Sequence, residues 1–531
     1  MGRQFSWARQ AVCGDILFRM RARVIVAAAV LLGLVAWDFA VATTFVGDDY
    51  LFLAFARLEP NPLLAFVRDM HGGEYYRPLP MLLWWLLDRA GQGGEWPFAL
   101  AGFLLHAGSA ALVVALARGV GFTLRVSLAA GALFLVAPAE REAALWFAAS
   151  TDLLATLATL AALICLLRTS RGWQAASVVL AAVAYFSKET ALVLPLLGVA
   201  AKFAAVTKGE NSTRQPRVAK HTGGRGELTE FLRACVVPVV PHLLLAGACL
   251  AARFAVLRGL GGSNDPVAPW WGRGLQMIAG LVHSVTAYAP FPDALAWLVG
   301  GSVLLAAGVL AVRSAHVSRR AWFPVLWTLL ALLPLPAAGW VVGARYFYLP
   351  AVGLMLMLAL AADARGSAVV VLAISLLAAI GLGSTAARMG EVRRCRAVLT
   401  AARDAVTQGA QAGHAIFLVR NGVKDLDLAL KFTSPLGRLP QPLLVIPDVP
   451  ASFVWMPDAF ANRARFLLAS PPLPPAGEYH FGGQHIVGLA RREEAPDLDD
   501  VLARLPELRF IELLAHGRGQ VTWRDRTESR R

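Results

Sequence analysis

Two adjacent carboxylates, Asp48 and Asp49, follow the first long apolar stretch of the chain, residues 24–46. A carboxylate is costly to place where a helix leaves hydrocarbon, so such residues either face water or serve a site. Taken alone, the pair is typical of a solvated helix end. Beside cations and aromatic rings, a carboxylate here could instead take a proton from a hydroxyl group or bind a metal ion.

The same connection and three later ones carry further residues that could do chemistry. The combined set is His71, Glu74, Tyr75, Tyr76 and Arg77 in the first connection, Glu140, Arg141, Glu142 and Trp146 in the second, Lys188 and Glu189 in the third, and Arg345, Tyr346 and Tyr348 in the fourth. The predicted topology places all four on one side of the membrane. Acids, arginines and aromatic rings together suit an anionic phosphate and a positive charge that develops during reaction.

Each of these residues also has a structural interpretation. Glu142 could stabilise the positive N-terminal end of the helix that follows it. Lys188 and Glu189 could form a local ion pair in a tight turn. Arg345 and its tyrosines could belong to an interfacial belt. For His106, within an apolar stretch, we expect hydrogen bonds between helices rather than a role as a ligand.

Composition predicts a polytopic α-helical membrane protein. Of the 531 residues, 57% are hydrophobic and only 16% are charged, whereas a soluble protein has about a quarter charged residues. The net charge of +15 comes from arginines in short connections, which is the positive-inside pattern and not a nucleic-acid surface. The five cysteines are scattered without metal-ligand spacing, so neither a zinc site nor a disulfide framework is predicted.

Hydropathy and charge together predict about eleven transmembrane helices, with the N-terminus cytoplasmic and the C-terminus outside. The spans are expected near 24–46, 98–117, 124–138, 150–167, 173–187, 190–206, 234–256, 292–312, 321–342, 345–362 and 367–387. Residues 273–290 are not counted, because a span there would move the basic loop Arg313–Arg320 outside. Residues 47–96 form a long outer segment with interfacial helices, one of them at 81–87.

The chain therefore divides into three parts: a cytoplasmic N-terminus at 1–23, a membrane domain at 24–388 and a C-terminal domain at 389–531. Within the membrane domain, the polar and basic residues 207–233 form a cytoplasmic loop. The last part is expected to be a small soluble, extracytoplasmic α/β or α+β domain. Short apolar runs predict strands at 415–419 and 443–446, and helical spacing covers 393–406.

The order of several short motifs resembles the GT-C superfamily of polytopic glycosyltransferases, which take sugar from a polyprenyl-phosphate carrier. The resemblance covers residues 24–390 and is greatest to the transmembrane O-mannosyltransferase family and its bacterial relatives, although residues 389–531 replace the TPR tail. The motifs are Gly47-Asp48-Asp49-Tyr50, Tyr76-Arg77-Pro78-Leu79, Pro138 with Glu142-Ala143, Asp152-Leu153-Leu154-Ala155, Ser187-Lys188-Glu189 and Arg345-Tyr346-Phe347-Tyr348-Leu349-Pro350.

The resemblance implies a role for each matching residue. Asp48 or Asp49 would be the general base or would orient the acceptor, and Glu142 would support the acceptor or a metal. Lys188, Arg345 and Arg77, together with Tyr346, would hold the carrier phosphate. The implied partners are a polyprenyl-phosphate-linked sugar donor, membrane lipids and an acceptor that is a glycan, a lipid or a protein. The implied location is a bacterial inner membrane, and the need for a divalent ion stays open.

A transporter or flippase of lipid-linked sugars is the main alternative. Transporters place charges near the membrane midplane, on broken helices that recur in inverted repeats. Here the carboxylates stand at the ends of spans, and the long first outer segment has no counterpart in the second half, which favours an enzyme. A membrane-anchored scaffold whose residues 389–531 bind a partner is a third reading, but it leaves the acidic connections unexplained.

Overall fold

The structure is a computed structural model that describes most of residues 27–69, 75–206, 232–259, 321–335 and 344–383. It also describes isolated positions between 277 and 309 and seven strands between 416 and 525. The residues between these parts lie outside the description, as do 46–48 and 138–142 within them.

Twelve helices of ten or more residues are numbered α1 to α12 in chain order among the described residues. They are α1 Ala27–Val41, α2 Asp49–Leu58, α3 Pro78–Gly91, α4 Trp96–Val120, α5 Leu124–Val136, α6 Ser150–Leu166, α7 Arg171–Tyr185, α8 Leu194–Val206, α9 Val240–Leu257, α10 Trp322–Leu332, α11 Tyr348–Asp363 and α12 Ala368–Gly383. Short 3-10 turns directly precede four of them, at Phe147–Ala149, Glu189–Val193, Val237–Val239 and Ala344–Phe347. The first, second and fourth of these turns carry or adjoin most of the candidate residues.

The buried core lies among helices α4, α5, α6, α8, α10 and α11. Helix α6 packs on both α4 and α7, and α11 packs on both α5 and α10. At Gly353 of α11 a Cβ atom would lie 2.5 Å from the carbonyl oxygen of Pro324 in α10. Glycine therefore permits the close approach of these two helices, which anchors the turn before α11.

The chain is an integral membrane protein of α-helical type. Among the described residues, five helical stretches are long and apolar enough to cross a bilayer. They are Trp96–Val120, Phe147–Leu166, Glu189–Val206, Leu232–Leu257 and Arg345–Asp363. Large apolar side chains such as Leu244 and Phe254 of α9 and Leu372 of α12 are exposed in the chain alone, as lipid-facing residues are.

The predicted spans agree with these helices wherever the structure describes them, from α1 at 27–41 to α12 at 368–383. The span at 292–312 and the segment 273–290 fall on residues that are described only in part, so the number of crossings stays a prediction. Short helices α2 and α3 do occur in the first outer segment. Helix α3 contains residues 81–87, and their interfacial position also stays a prediction.

The C-terminal strands form one mixed seven-stranded sheet in the order β4-β5-β3-β2-β1-β6-β7. The strands are β1 Ile416–Asn421, β2 Leu443–Pro447, β3 Ala451–Pro457, β4 Pro475–Phe481, β5 Gln484–Ala490, β6 Leu508–His516 and β7 Gln520–Asp525. Strand β1 is parallel to β2 and β6, and the other neighbours are antiparallel. Strands β1 and β2 confirm the two predicted ones, whereas the predicted helix at 393–406 lies almost wholly outside the described residues.

Candidate active site

The turn at Phe147–Ala149, which leads into α6, is tied to the first outer segment. Asp49, in the first turn of α2, is completely buried, and its carboxylate accepts a hydrogen bond from the backbone N–H of Ala148. Nearby, the indole N–H of Trp84 in α3 donates to the hydroxyl of Ser150 at 3.1 Å. Both contacts bridge residues far apart in sequence, so they fix the start of α6 against α2 and α3.

Lys188 and Asp152 form a buried ion pair between the third connection and α6. The ammonium nitrogen of Lys188 lies 2.5 Å from Oδ2 of Asp152, and the two side chains are only 2% and 5% exposed. The same ammonium lies 4.5 Å from the ring centroid of Tyr346. We call Lys188, Asp152 and Tyr346 the lysine cluster. In it, one cation meets one carboxylate under an aromatic ring.

Arg345 extends this arrangement toward the second connection. Its guanidinium carbon lies 4.0 Å from the ring centroid of Trp146 and 5.0 Å from that of Tyr346. Stacking on aromatic faces holds a guanidinium in place while leaving its planar N–H edge available for hydrogen bonding. Trp146 immediately precedes the turn that Asp49 holds, so Arg345 reaches the same region of the molecule as Asp49.

A second group of charges, which we call the arginine cluster, comprises Arg77, Glu189 and Arg253. Arg77 donates to both carboxylate oxygens of Glu189, at 2.5 and 3.2 Å. The Nη1 atom of Arg253 in α9 lies 3.6 Å from Oε2 of Glu189, whose side chain is 32% exposed. The described contacts therefore place two guanidinium groups against one carboxylate.

Electrostatics at Arg77 and Tyr76 agree with these contacts. Burial opposes the charged form of Arg77, but the neighbouring Glu189 carboxylate outweighs burial and raises the pKa of the guanidinium above its ordinary value. Burial, with the Cys249 thiol close by, raises the pKa of the Tyr76 phenol. Tyr76 is thus a neutral donor, and it gives a 2.9 Å hydrogen bond to the carbonyl oxygen of Phe66.

Tyr346 brings two cations together, because Lys188 and Arg345 both lie against its ring. Arg77 approaches the same turn through Glu189, the chain neighbour of Lys188. Cations from three separate connections therefore meet at the turn of Lys188 and Glu189. Since like charges repel, such a grouping is stabilised when an anion joins it.

A small open pocket with a volume of about 10 Å³ adjoins the arginine cluster. Its lining residues are Tyr76, Tyr185, Phe186, Glu189, Leu192, Cys249, Leu250 and Arg253. Glu189 and Arg253 supply charge, and the remaining wall is largely apolar. The pocket therefore offers a polar boundary and an apolar wall between α7 and α9.

The structure brings together most of the predicted residues that it describes. Asp49, Arg77, Lys188, Arg345 and Tyr346 belong to one continuous set of contacts. Asp48 and Glu142 lie outside the described residues, as do His71, Glu74, Glu140 and Arg141.

Two alternative interpretations can now be decided. The local ion pair between Lys188 and Glu189 was the wrong reading, because these neighbours pair with Asp152 and with Arg77 instead. The expectation for His106 is confirmed, since its Nδ1 lies 2.8 Å from the hydroxyl of Tyr348 and its Nε2 lies 3.1 Å from the carbonyl oxygen of Leu135. The Nε2 atom therefore carries the proton, and His106 joins α4 to α5 and α11.

Sequence reasoning gave no role to two residues of the clusters. Asp152 occurs only as part of a motif in the sequence analysis, and Arg253 has no predicted role there. Both are ionisable residues within otherwise apolar stretches, 147–166 and 232–257. A charge inside a membrane span is by itself a signal for a site or a partner, and it could have identified both.

Among the side chains described in the helical region, no group of three His, Cys, Asp or Glu residues could hold a metal ion. The predicted acids Asp48 and Glu142 are not part of that set. The prediction that Glu142 supports the acceptor or a metal ion therefore stays a prediction.

No family model matches the chain, and no curated protein matches it. It is similar to the crystal structure of ArnT from Cupriavidus metallidurans bound to undecaprenyl phosphate, with 16% identity and a TM-score of 0.48, over 90% of this chain and 99% of that one. It is also similar to an oligosaccharyltransferase of Archaeoglobus fulgidus tethered with an acceptor peptide, with 13% identity and a TM-score of 0.41, over 79% and 63%. Both TM-scores are below 0.5, so the argument for function rests on the residues of this chain.

Proposed function

We propose that this protein is a membrane glycosyltransferase of GT-C type. It moves a sugar from a polyprenyl-phosphate carrier to a hydroxyl group of an acceptor on the extracytoplasmic face. The acceptor is a glycan, a lipid or a protein. The proposal extends to a bacterial inner membrane, with the N-terminus in the cytoplasm and residues 389–531 outside.

The observation that carries the proposal is the convergence of Arg77, Lys188 and Arg345 on the turn of Lys188 and Glu189. In glycosyl transfer from a lipid phosphate, negative charge grows on the departing phosphate, and fixed cations lower the barrier by stabilising it. Lys188 uses one of its three N–H donors on Asp152, and the others remain to meet a phosphate oxygen. Arg345, which lies over the rings of Trp146 and Tyr346, adds a second positive charge beside Lys188.

Carboxylates of the first outer segment supply the second requirement of the reaction. An acceptor hydroxyl must lose its proton as it attacks the sugar, and a carboxylate is a suitable base. Asp49 is buried and engaged with Ala148, so we assign it the positioning role and assign its neighbour Asp48 the role of base. Glu142, five residues before the turn at Phe147–Ala149, supports the acceptor or a metal ion.

The small pocket beside the arginine cluster marks a place where an apolar wall meets cations. Leu192 and Leu250 line the apolar wall, and Arg253 lies at its charged edge. An isoprenoid chain needs an apolar surface between spans that ends at cations, so the carrier is proposed to lie along this wall and not inside the pocket, which has a volume of about 10 Å³.

The decisive experiment incubates the purified full chain with a panel of polyprenyl-phosphate sugars and scores release of the carrier phosphate. Undecaprenyl phosphate, which the similar ArnT structure binds, serves as the carrier. Sugar-dependent release with one donor is the expected result. Movement of intact donor across vesicles without release would instead indicate the transporter alternative.

Variants of the two aspartates separate their roles in the same assay. Asp48→Asn should abolish release, whereas Asp49→Asn should retain part of it, because the amide oxygen can still accept from Ala148. Asp49→Ala, which loses that acceptor, should be more severe than Asp49→Asn. Full activity of Asp48→Asn would remove the base assignment, and an inactive but folded Asp49→Asn would transfer it to Asp49.

A further inference from the structure

Glu189 is a carboxylate that stands among the cations of the proposed carrier site. Arg77 donates to both of its carboxylate oxygens, and the Nη1 atom of Arg253 lies 3.6 Å from its Oε2. The preceding residue, Lys188, is paired with Asp152. An anion that binds to Arg77 or Arg253 must therefore come close to the negative charge of Glu189.

Glu189 is also more accessible than the carboxylate of the lysine cluster. Its side chain is 32% exposed, and it lines the small pocket beside α9 together with Arg253. The side chains of Lys188 and Asp152 are only 2% and 5% exposed. A ligand head group that approaches along the pocket wall therefore meets the charge of Glu189 directly, whereas the charge of Asp152 is covered by its lysine.

The charge balance of the described residues at this place is close to that of one phosphate group. The charged members are the cations Arg77, Lys188, Arg253 and Arg345 and the carboxylates Asp152 and Glu189. These described residues have an excess of two positive charges. A phosphate monoester carries about −1.5 to −2 charges at neutral pH, so one phosphate group offsets this excess and a diphosphate group exceeds it.

We propose that Glu189 is a specificity-determining residue, which makes the site select a carrier with one phosphate group over a carrier with a diphosphate group. The proposal rests on the proposed function, because it concerns the carrier phosphate of the same site. A carboxylate repels a nearby anion, and the repulsion grows with the charge of that anion. Glu189 therefore disfavours a diphosphate more than a monophosphate, while its two hydrogen bonds keep Arg77 oriented.

The test compares the affinities for undecaprenyl phosphate and undecaprenyl diphosphate, measured as displacement of labelled undecaprenyl phosphate from the purified full chain. We expect the wild type to bind the monophosphate more tightly. Glu189→Gln retains an oxygen that accepts from Arg77 but removes the charge, so it should reduce this preference on the order of tenfold. The ratio of the two dissociation constants is the quantity to compare, because general damage to the fold weakens the binding of both carriers.

Arg253→Gln tests the same balance with the opposite sign. It removes a cation beside Glu189 and should increase the preference for the monophosphate, whereas Glu189→Asp retains the charge and should keep most of the wild-type preference. Asp363→Asn is the matched control and should leave both affinities unchanged. Asp363 pairs with Arg125 at 3.5 Å and is 27% exposed, but it lies at the opposite end of α11 from Tyr346.

Three results would each overturn the proposal. They are a wild type without a preference for the monophosphate, a Glu189→Gln protein with the wild-type preference, and a Glu189→Gln protein that binds neither carrier. If the wild type binds undecaprenyl phosphate, any of these results leaves the proposed function standing. A wild type that binds neither carrier would contradict the proposed function as well.

Discussion

Lys188 and Glu189 are neighbours in one turn, yet the clusters that they enter differ in charge balance and in exposure. In the lysine cluster, a single cation meets a single carboxylate, and both are nearly inaccessible. In the arginine cluster, two guanidinium groups share one carboxylate that is about a third exposed. A balanced buried pair is suited to positioning, whereas an excess of cations beside a pocket is suited to binding an anion. The comparison predicts that the ion pair of the first cluster contributes stability in addition to any contact with the donor, whereas the second cluster acts mainly on affinity for the donor.

The largest effect is expected from Lys188→Met. Removing one partner of a buried ion pair leaves the other charge uncompensated, and this costs about 3–5 kcal/mol of stability. Thermal unfolding of the purified protein in detergent would measure the loss.

The matched control for that loss is the double variant Lys188→Met with Asp152→Asn, in which no buried charge remains unpaired. It should recover most of the stability but should not recover sugar transfer if Lys188 meets the carrier phosphate. A Lys188→Met protein that unfolds like the wild type would contradict the positioning role. A double variant with full transfer would remove Lys188 from the phosphate site.

Arg77→Ala should have an intermediate effect that divides between stability and binding. Glu189 keeps Arg253 at 3.6 Å and is partly solvated, so the loss of stability should be about 1–2 kcal/mol, between the values for exposed and buried pairs. The apparent KM for the lipid donor should rise as well, because one of the three cations is lost.

Arg77→Lys tests whether geometry matters as well as charge. Lysine keeps the positive charge but cannot form the two parallel hydrogen bonds to Glu189. We expect the affinity of Arg77→Lys for the lipid donor to lie between those of the wild type and Arg77→Ala. A donor KM in Arg77→Ala that equals the wild-type value would show that the arginine cluster serves structure only, and the contrast between the clusters would fail.

Arg345→Ala should affect donor affinity with little loss of stability. A hydrogen bond to a charged group contributes about 1.5–3 kcal/mol, so the apparent KM for the donor should rise about tenfold or more. Arg345→Lys is the matched control, because it keeps the charge but lacks the planar guanidinium that lies over the Trp146 ring. Its KM for the donor should lie between those of the wild type and Arg345→Ala. An unchanged KM in Arg345→Ala would exclude a contact with the phosphate.

Much of the helical fold could be predicted from the sequence because hydropathy and length decide where a membrane helix can lie. Helices α4 and α6 follow the predicted spans at 98–117 and 150–167 to within a few residues. Hydropathy does not specify which residues pair across helices. Charge partners such as Asp152 for Lys188 and Arg253 for Glu189 are separated by 36 and 64 positions, and they depend on how α6 and α9 pack.

Three cations of the candidate site could be grouped from the sequence, but their geometry could not be predicted. The order of motifs grouped Arg77, Lys188 and Arg345, and in the structure they meet at the turn of Lys188 and Glu189, two of them against the ring of Tyr346. The sequence could not predict that one cluster has equal numbers of positive and negative charges while the other has an excess of positive charge. It does not tell which carboxylate each cation contacts. The same limit led to the local pairing of Lys188 with Glu189.

The smallest effect is expected from Tyr346→Phe, which separates the ring of Tyr346 from its hydroxyl. The two cations nearest to it, Lys188 and Arg345, contact the ring face, and phenylalanine retains a π face that attracts a cation. The apparent KM for the donor should therefore stay within about threefold of the wild type, because only a part of a ring contact worth about 0.5–2 kcal/mol is lost. Tyr346→Leu removes the π face at similar volume and should raise KM more than Tyr346→Phe does. If Tyr346→Phe raised KM as strongly as Arg345→Ala, the hydroxyl of Tyr346 would have to meet the phosphate directly, and the tyrosine would be a ligand of the anion rather than a support for the cations around it.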